Sequence, residues 1–290
     1  MTILVCGALH LDIVVSAPRL PRLDETVAGG AVREVEGGKG GNQARAAALM
    51  GAPTAFAGRI GADGWGERLL AGLVAAGVDA SRVARDPGAS GMSVAIEEPG
   101  GYGAVIVSGA NLRIDPAEIE PPAGLRLLLL QNEIPEEANL ALARRARAMG
   151  ARVLLNAAPA RPLSPALRAV TDILVVNRVE AEDMAGAGAA PEAAARALAA
   201  EGPGAVIVTL GAAGLMLAAE GAVAASPAFP VSAKSSHGAG DMFVGALAAR
   251  LHGGAPLAEA ARFGQAAAAL FVSGAAPAPE AAAALAGQSL

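Results

Sequence analysis

The residues best suited to chemistry fall in two glycine-rich segments. One is Ser236-His237-Gly238-Ala239-Gly240-Asp241, which runs into the apolar, helix-like stretch Met242-Phe243-Val244-Gly245-Ala246-Leu247. Glycines let backbone N–H groups approach an anion closely, and a helix start adds the positive end of its dipole. Asp241 stands at that helix start. A carboxylate there is poorly placed to bind a phosphate but well placed to take a proton from a hydroxyl attacking one. An anion cradle beside a base suggests phosphoryl transfer to an alcohol. A plainer reading is a glycine helix cap followed by a capping Asp, and this segment alone does not separate the two. A dinucleotide fingerprint is excluded, because Gly238-Ala239-Gly240 is followed by Asp-Met-Phe and the third glycine is missing.

The second segment, Gly37-Gly38-Lys39-Gly40-Gly41-Asn42-Gln43-Ala44, opens a helix. A Walker A loop needs Gly-Lys-Ser/Thr, and Gly40 follows Lys39, so that reading fails. What remains is a pliant backbone, one cation and an amide at a helix start, a set suited to hydrogen bonding a polyhydroxyl ligand or its phosphate. The alternative is a flexible surface loop with a solvated Lys.

The elements that must position these segments follow from hydrophobic pattern and punctuation. Ile3–Cys6 is an apolar run ending at Gly7, as a buried strand would. Asp12–Ser16 and Thr26–Glu36 are short, β-rich and polar, and read as exposed strands. Val94–Glu98 and Ala104–Ser108 flank Pro99-Gly100-Gly101, a hairpin signal. Helices are expected over Asn42–Met50, Gly66–Ala76, Pro135–Met149, Pro191–Ala200, Asp241–Leu251 and Leu257–Ser273. Strands are expected at Leu125–Leu130, Val153–Leu155, Ile173–Val176 and Ala205–Leu210. Strand–helix alternation of this kind implies a parallel sheet covered by helices on both faces, with ligands beyond the carboxyl ends of its strands. The polar strands, about residues 12–36 and 92–108, do not fit that sheet and read as a small, discontinuous β lid on one domain spanning 1–290. Ala275–Leu290 is Ala/Pro-rich and is expected to fray.

Composition narrows the classes. The 290 residues carry 22 Lys+Arg against 27 Asp+Glu, a net charge of −5 with no basic run, so nucleic acid is not an expected partner. The uncharged stretch between Glu201 and Glu220 holds Pro203, Gly204, Gly211 and Gly214 and reads as strand, turn, strand rather than a membrane span. One cysteine, Cys6, excludes an intrachain disulfide framework and is expected as inert core. With no basic n-region at the start, a reducing cytoplasm is the simplest location. His10, His237 and His252 show no metal-ligand spacing, so no zinc site is expected.

The two glycine segments, in this order, resemble the two signatures of the ribokinase (PfkB) family of sugar kinases. Asn177-Arg178-Val179-Glu180 is similar to the family's Asn-x-x-Glu element, and Thr209-Leu210-Gly211-Ala212-Ala213-Gly214 to its nucleotide loop. The resemblance covers nearly the whole chain. It implies a three-layer αβα sandwich with a mostly parallel central sheet, and a β lid that often mediates homodimers. It also implies transfer of the γ-phosphoryl of ATP, with Mg²⁺, to a primary hydroxyl. On this resemblance Asp241 is the base, and the N–H groups of Gly238, Ala239 and Gly240 form the anion hole. Asp12, Gly38, Lys39, Asn42 and Glu133 hold the sugar. Asn177 and Glu180 organise Mg²⁺ and phosphate through water, and Thr209, Gly211 and Gly214 line the nucleotide site, with His237 near the nucleotide. Read alone, Glu180 and Glu133 are equally plain cap carboxylates.

Departures from the family pattern carry expectations of their own. His10 stands where ribokinases have a sugar-contacting Asn, which puts ribose itself in question. Ser235-Ser236-His237 replaces the usual Asp-Thr-x, whose Asp helps bind an activating monovalent cation, and Ser273-Gly274-Ala275-Ala276 is shortened, so K⁺ activation is expected to be weak or absent. A nucleoside kinase of the same fold is the alternative acceptor class, with Phe56, Trp65 and Tyr102 as candidate stacking groups, although aromatic content is only 2%. From another class, a non-catalytic sugar or nucleotide sensor would not need the intact Asp241.

Overall fold

The computed structural model describes residues 2–289; the side chain of Tyr102, one of the candidate stacking groups, lies outside the described residues. In chain order the first half runs β1 (Thr2–Cys6), β2 (His10–Ser16), β3 (Ala31–Gly37), α1 (Lys39–Leu49), β4 (Thr54–Gly61), α2 (Gly64–Ala75), β5 (Asp79–Asp86), β6 (Gly91–Glu98) and β7 (Gly101–Val107). It continues with β8 (Leu125–Gln131), α3 (Glu136–Ala148), β9 (Arg152–Asn156), α4 (Pro165–Ala169), β10 (Ile173–Asn177), α5 (Arg178–Ala185) and α6 (Pro191–Ala200). The last part is β11 (Ala205–Thr209), β12 (Leu215–Ala219), β13 (Ala222–Ser226), α7 (Ala239–His252), α8 (Leu257–Ser273) and α9 (Pro279–Ala286).

A nine-stranded sheet of order β13-β12-β11-β10-β9-β8-β1-β4-β5 forms the central layer. Its strands pair in parallel from β11 through to β5, and β12 alone is reversed, pairing antiparallel with β11 on one side and β13 on the other. Alternation along β1 shows why both faces must be covered. Ile3 and Val5 enter the core beneath α1, α2, α7 and α8, while Leu4 and Cys6 enter the core beneath α3, α5 and α6. The αβα sandwich expected from strand–helix alternation is therefore the observed architecture. Cys6 is wholly buried, and burial pushes its thiol up to about 12.

A separate four-stranded sheet, order β3-β2-β6-β7, holds the polar strands. Pro99 and Gly100 form the two-residue turn between β6 and β7, with Glu98 paired to Gly101. β3 starts at Ala31, not Thr26, because Gly29 and Gly30 interrupt the strand pattern and Gly30 N–H turns back to the Ser16 carbonyl at 2.9 Å.

Three strands, β4, β5 and β13, were illegible in the pattern. β4, Thr-Ala-Phe-Ala-Gly-Arg-Ile-Gly, has the small residues of a strand packed closely on both faces, and β5 alternates charge along the sheet edge. The C-terminal segment also differs from expectation. Pro279 starts α9, Ala282 and Ala283 bury against the core, and Arg250 and Gln288 side chains donate to the Ser289 and Glu259 carbonyls at 2.9 Å each. Small side chains let this helix seat closely on its neighbour, so it is tied down rather than frayed.

Candidate active site

The site lies where the starts of α1 and α7 meet. Gly245 makes that meeting possible: a Cβ there would stand 2.4 Å from Ala46 Cβ and 2.7 Å from the Gln43 carbonyl. Close packing of the two helices brings Asn42 and Gln43 onto Asp241. Asn42 Nδ2 donates to Asp241 Oδ2 at 3.0 Å, and Gln43 Nε2 donates to Asp241 Oδ1 at 2.9 Å. Both amides are fixed in orientation by their other ends. Asn42 Oδ1 accepts from Arg45 at 2.8 Å, and Gln43 Oε1 accepts from Gln131 Nε2 at 2.8 Å. Gln43 Nε2 also donates to Asn156 Oδ1 at 2.9 Å, and Asn139 Nδ2 donates to the Gln131 carbonyl at 2.8 Å. Asp241 is thus a buried carboxylate held by neutral donors at the head of a buried amide chain. Of its roughly four acceptor positions about two stay open, which suits a group that must take up a proton.

The glycine segment before Asp241 makes a sharp entry into α7. Gly238 caps the helix in the left-handed region, with φ at 77°. Ala239 N–H is engaged by the Ser236 carbonyl at 3.2 Å, and no backbone acceptor meets the Gly240 N–H among the described residues. Ala239 and Gly240 line a cavity of about 500 Å³. Thr209, Gly211 and Gly214 line the same cavity, as does Ser236. Two aromatics that sequence reading missed, Phe229 and Phe243, also wall it. The Arg262 guanidinium lies 3.5 Å over the Phe229 ring. Their only advance signal was position, in the loop after β13 and on the first turn of α7.

Asn177 and Glu180 do not line that cavity. They form a reciprocal capping box at the start of α5, with Glu180 N–H donating to Asn177 Oδ1 at 2.9 Å and Asn177 N–H donating to Glu180 Oε2 at 2.8 Å. Burial pushes the Glu180 carboxyl above its ordinary range, Lys39 opposes that, and Asp241 is near enough to add to it. His237 is exposed, its N–H donating to Ser235 Oγ at 3.2 Å.

Asp12, His10, Lys39 and Glu133 stand on the other side of Asp241. Lys39 N–H, at the first turn of α1, donates to Glu133 Oε2 at 2.7 Å. Burial pushes the Glu133 carboxyl up to about 7, and Lys39 opposes the shift while Asp241 and Asp12 reinforce it. Asp12 accepts from Ser93 Oγ across the β2–β6 pair. His10 is buried, its Nε2 has no hydrogen-bond partner among the described residues, and burial lowers its basicity. Asn111 clamps the residue before it: Leu9 N–H donates to Asn111 Oδ1 at 3.0 Å, and Asn111 Nδ2 donates to the Leu9 carbonyl at 2.8 Å. His10 and Glu133 line a second cavity of about 320 Å³ with Ser108, Asn132 and Arg161. Gly38 shapes this corner by close approach. Its φ is 87°, and a Cβ would lie 2.5 Å from the Ala8 carbonyl oxygen. Glycine in the Gly37–Ala44 segment therefore serves packing of α1 onto the β1–β2 turn, where sequence reading expected flexibility.

The structure thus gathers Asp12, His10, Gly38, Lys39, Asn42, Glu133 and Asp241 into one region and Thr209, Gly211, Gly214, Ala239 and Gly240 around one cavity. Phe56 is wholly buried in the core and is removed as a stacking group, while Trp65 is partly exposed at the start of α2. No group of three or more His, Cys, Asp or Glu residues arranged to hold a metal occurs among the described residues. No helix there is long and apolar enough to cross a membrane.

Comparison with known proteins places these features in context. Residues 2–281 match the model of the pfkB family of carbohydrate kinases. The chain is 34% identical over 277 residues to a ribokinase of Bacillus subtilis, covering 93% of this chain and 92% of that one. It superposes on the Arabidopsis thaliana ribokinase complexed with ribose and ATP with a TM-score of 0.88 at 29% identity, covering 99% of each chain. The Thermotoga maritima ribokinase superposes with a TM-score of 0.90 at 30% identity, over 98% of this chain and 99% of that one.

Proposed function

Since the chain belongs to the pfkB family of carbohydrate kinases, phosphotransferases with an alcohol acceptor, we propose that it passes the γ-phosphoryl of ATP to a primary hydroxyl of a small sugar, ribose or a close relative. Asp241 is the base in this reading. The observation that carries it is a carboxylate held by two neutral amides at the head of α7, one residue from Gly240, which lines a nucleotide-sized cavity. The relatives' ribose and ATP complex supports both ligand classes. The open Gly240 N–H, joined by the Gly238 N–H and by the Ala239 N–H once it leaves the Ser236 carbonyl, would carry charge building on the transferring group, and Asp241 would take the hydroxyl proton. Asp12, His10, Gly38, Lys39, Asn42 and Glu133 are placed to hold the sugar hydroxyls.

Mg²⁺ fits the residues present. This ion keeps most of its water and needs only one or two carboxylates besides the substrate phosphates. Glu180 has one oxygen in its capping box and the other outside it, near Asp241 in electrostatic terms. Glu180, with Asn177 steadying it, would hold Mg²⁺ through water, and the ion would neutralise phosphate charge. A homodimer through the small sheet is part of the same proposal, supported by Val105 and Val107 lying exposed on one face of β7. The buried, unreactive Cys6 suits a cytoplasmic location.

A nucleoside acceptor is the second reading, favoured by the size of the cavity that His10 and Glu133 line, about 320 Å³. ADP release from ATP and Mg²⁺ across pentoses, hexoses, sugar acids and nucleosides tests both. Turnover on ribose supports the first, turnover confined to nucleosides the second, and ligand binding without ADP release would indicate a sensor.

A further inference from the structure

The loop that carries the anion cradle is fastened to the end of α8 by Lys234. Its N–H donates to the Val272 carbonyl at 2.7 Å, in the last turn of that helix. Its side chain then crosses Gly274, the left-handed residue that ends α8: a Cβ added there would lie 2.9 Å from Lys234 Cδ and 2.9 Å from Nζ. The exposed ammonium thereby lies beside a helix C-terminus, where the dipole is negative and a cation is favoured. Among the described residues no carboxylate forms an ion pair with it. One residue further on, Ser235 Oγ accepts the His237 N–H, and Gly238 begins the cap of α7. The covalent path from the Lys234 charge to the cradle is four residues long.

A monovalent cation does not fit this corner. Ser235 offers no charge, and the place above Gly274 is taken by the stem and ammonium of the exposed Lys234, which would repel a second cation. We propose that Lys234 is a positioning residue whose ammonium supplies, from within the chain, the positive charge that orders the 234–240 loop, so that nucleotide binding and phosphoryl transfer proceed without a monovalent cation. The proposal rests on the kinase reading of the cavity beside that loop.

The test uses the full chain in buffers whose only monovalent cation is K⁺ or tetramethylammonium. ADP affinity is measured by calorimetry, and ADP formation is followed with the acceptor that turns over best. The wild type is expected to show equal affinity and rate in both buffers. Lys234→Met keeps the stem but not the charge, and is expected to weaken ADP binding and lower kcat at least about tenfold, while Lys234→Arg stays near wild type. A wild type that needs K⁺ many-fold, or a Lys234→Met protein that matches wild type in tetramethylammonium, would overturn the proposal. A wild type that binds ADP equally in both buffers yet phosphorylates nothing would count against the kinase reading, while the affinities of the variants still decide the role of Lys234.

Discussion

Replacing Gln43 by Met tests whether the buried amide chain aims Asp241 or only fills space. Met keeps the length and removes three hydrogen bonds: Nε2 to Asp241, Nε2 to Asn156, and Gln131 Nε2 to Oε1. Gln43 is wholly buried, as is Gln131, so no water replaces the lost partners readily. Asn156 Oδ1 and the Gln131 amide are left unsatisfied at about 1–3 kcal/mol each, giving a stability loss of roughly 2–6 kcal/mol. Asp241 also loses one of its two restraints, and a misplacement on the order of 1 Å lowers turnover by up to about a hundredfold. Urea unfolding gives the first quantity, and steady-state ADP formation at saturating ATP gives the second. Gln43→Glu supplies the control. It keeps size but sets a second acceptor-only carboxylate against Asp241 Oδ1, so the restraint is replaced by repulsion and turnover should fall at least as far as in Gln43→Met. A Gln43→Met protein that loses stability but keeps the wild-type kcat would refute the orienting role and leave the amide chain purely structural.

Further outcomes follow from neighbouring residues. Asn111→Ala removes the clamp on both backbone groups of Leu9, so stability should fall by roughly 2–4 kcal/mol and the sugar KM should rise more than the ATP KM, as His10 and Asp12 shift. Glu133 gives a pH dependence whose sign is fixed by its upward shift from 4.5 to about 7. The folded protein holds that proton where the unfolded chain has released it, so the contribution is full below pH 4.5 and is lost as pH rises through 7. Its size is at most about 3 kcal/mol, and the stability difference between wild type and Glu133→Gln should change across that window and be flat above it.

Much of this was legible because local chemistry and fold agree. The apolar run at Ile3–Cys6 and the alternation from Leu125 onward identify a parallel sheet, and Gly238 with Asp241 identifies the start of α7. What stayed hidden was set by packing. β4 carries Ala and Gly where strands usually show bulk, since helices press on both of its faces, and α9 is held by alanines that look unremarkable in sequence. Gln43 and Gln131 were visible only as residues inside motifs, because a buried amide acquires its role from partners 88 and 198 positions away. Phe229 and Phe243 wall the nucleotide-sized cavity through folding of distant segments, whereas Phe56, a candidate from sequence, is core because β1 and β4 pair across it.

The central claim, that Asp241 takes the acceptor proton in phosphoryl transfer from ATP, is met most directly by Asp241→Asn. Its ADP release with the best acceptor is compared with wild type while ADP and sugar affinities are measured separately. A loss of at least about a hundredfold in kcat with both affinities retained is the predicted result. Near-normal turnover in that variant would contradict the account.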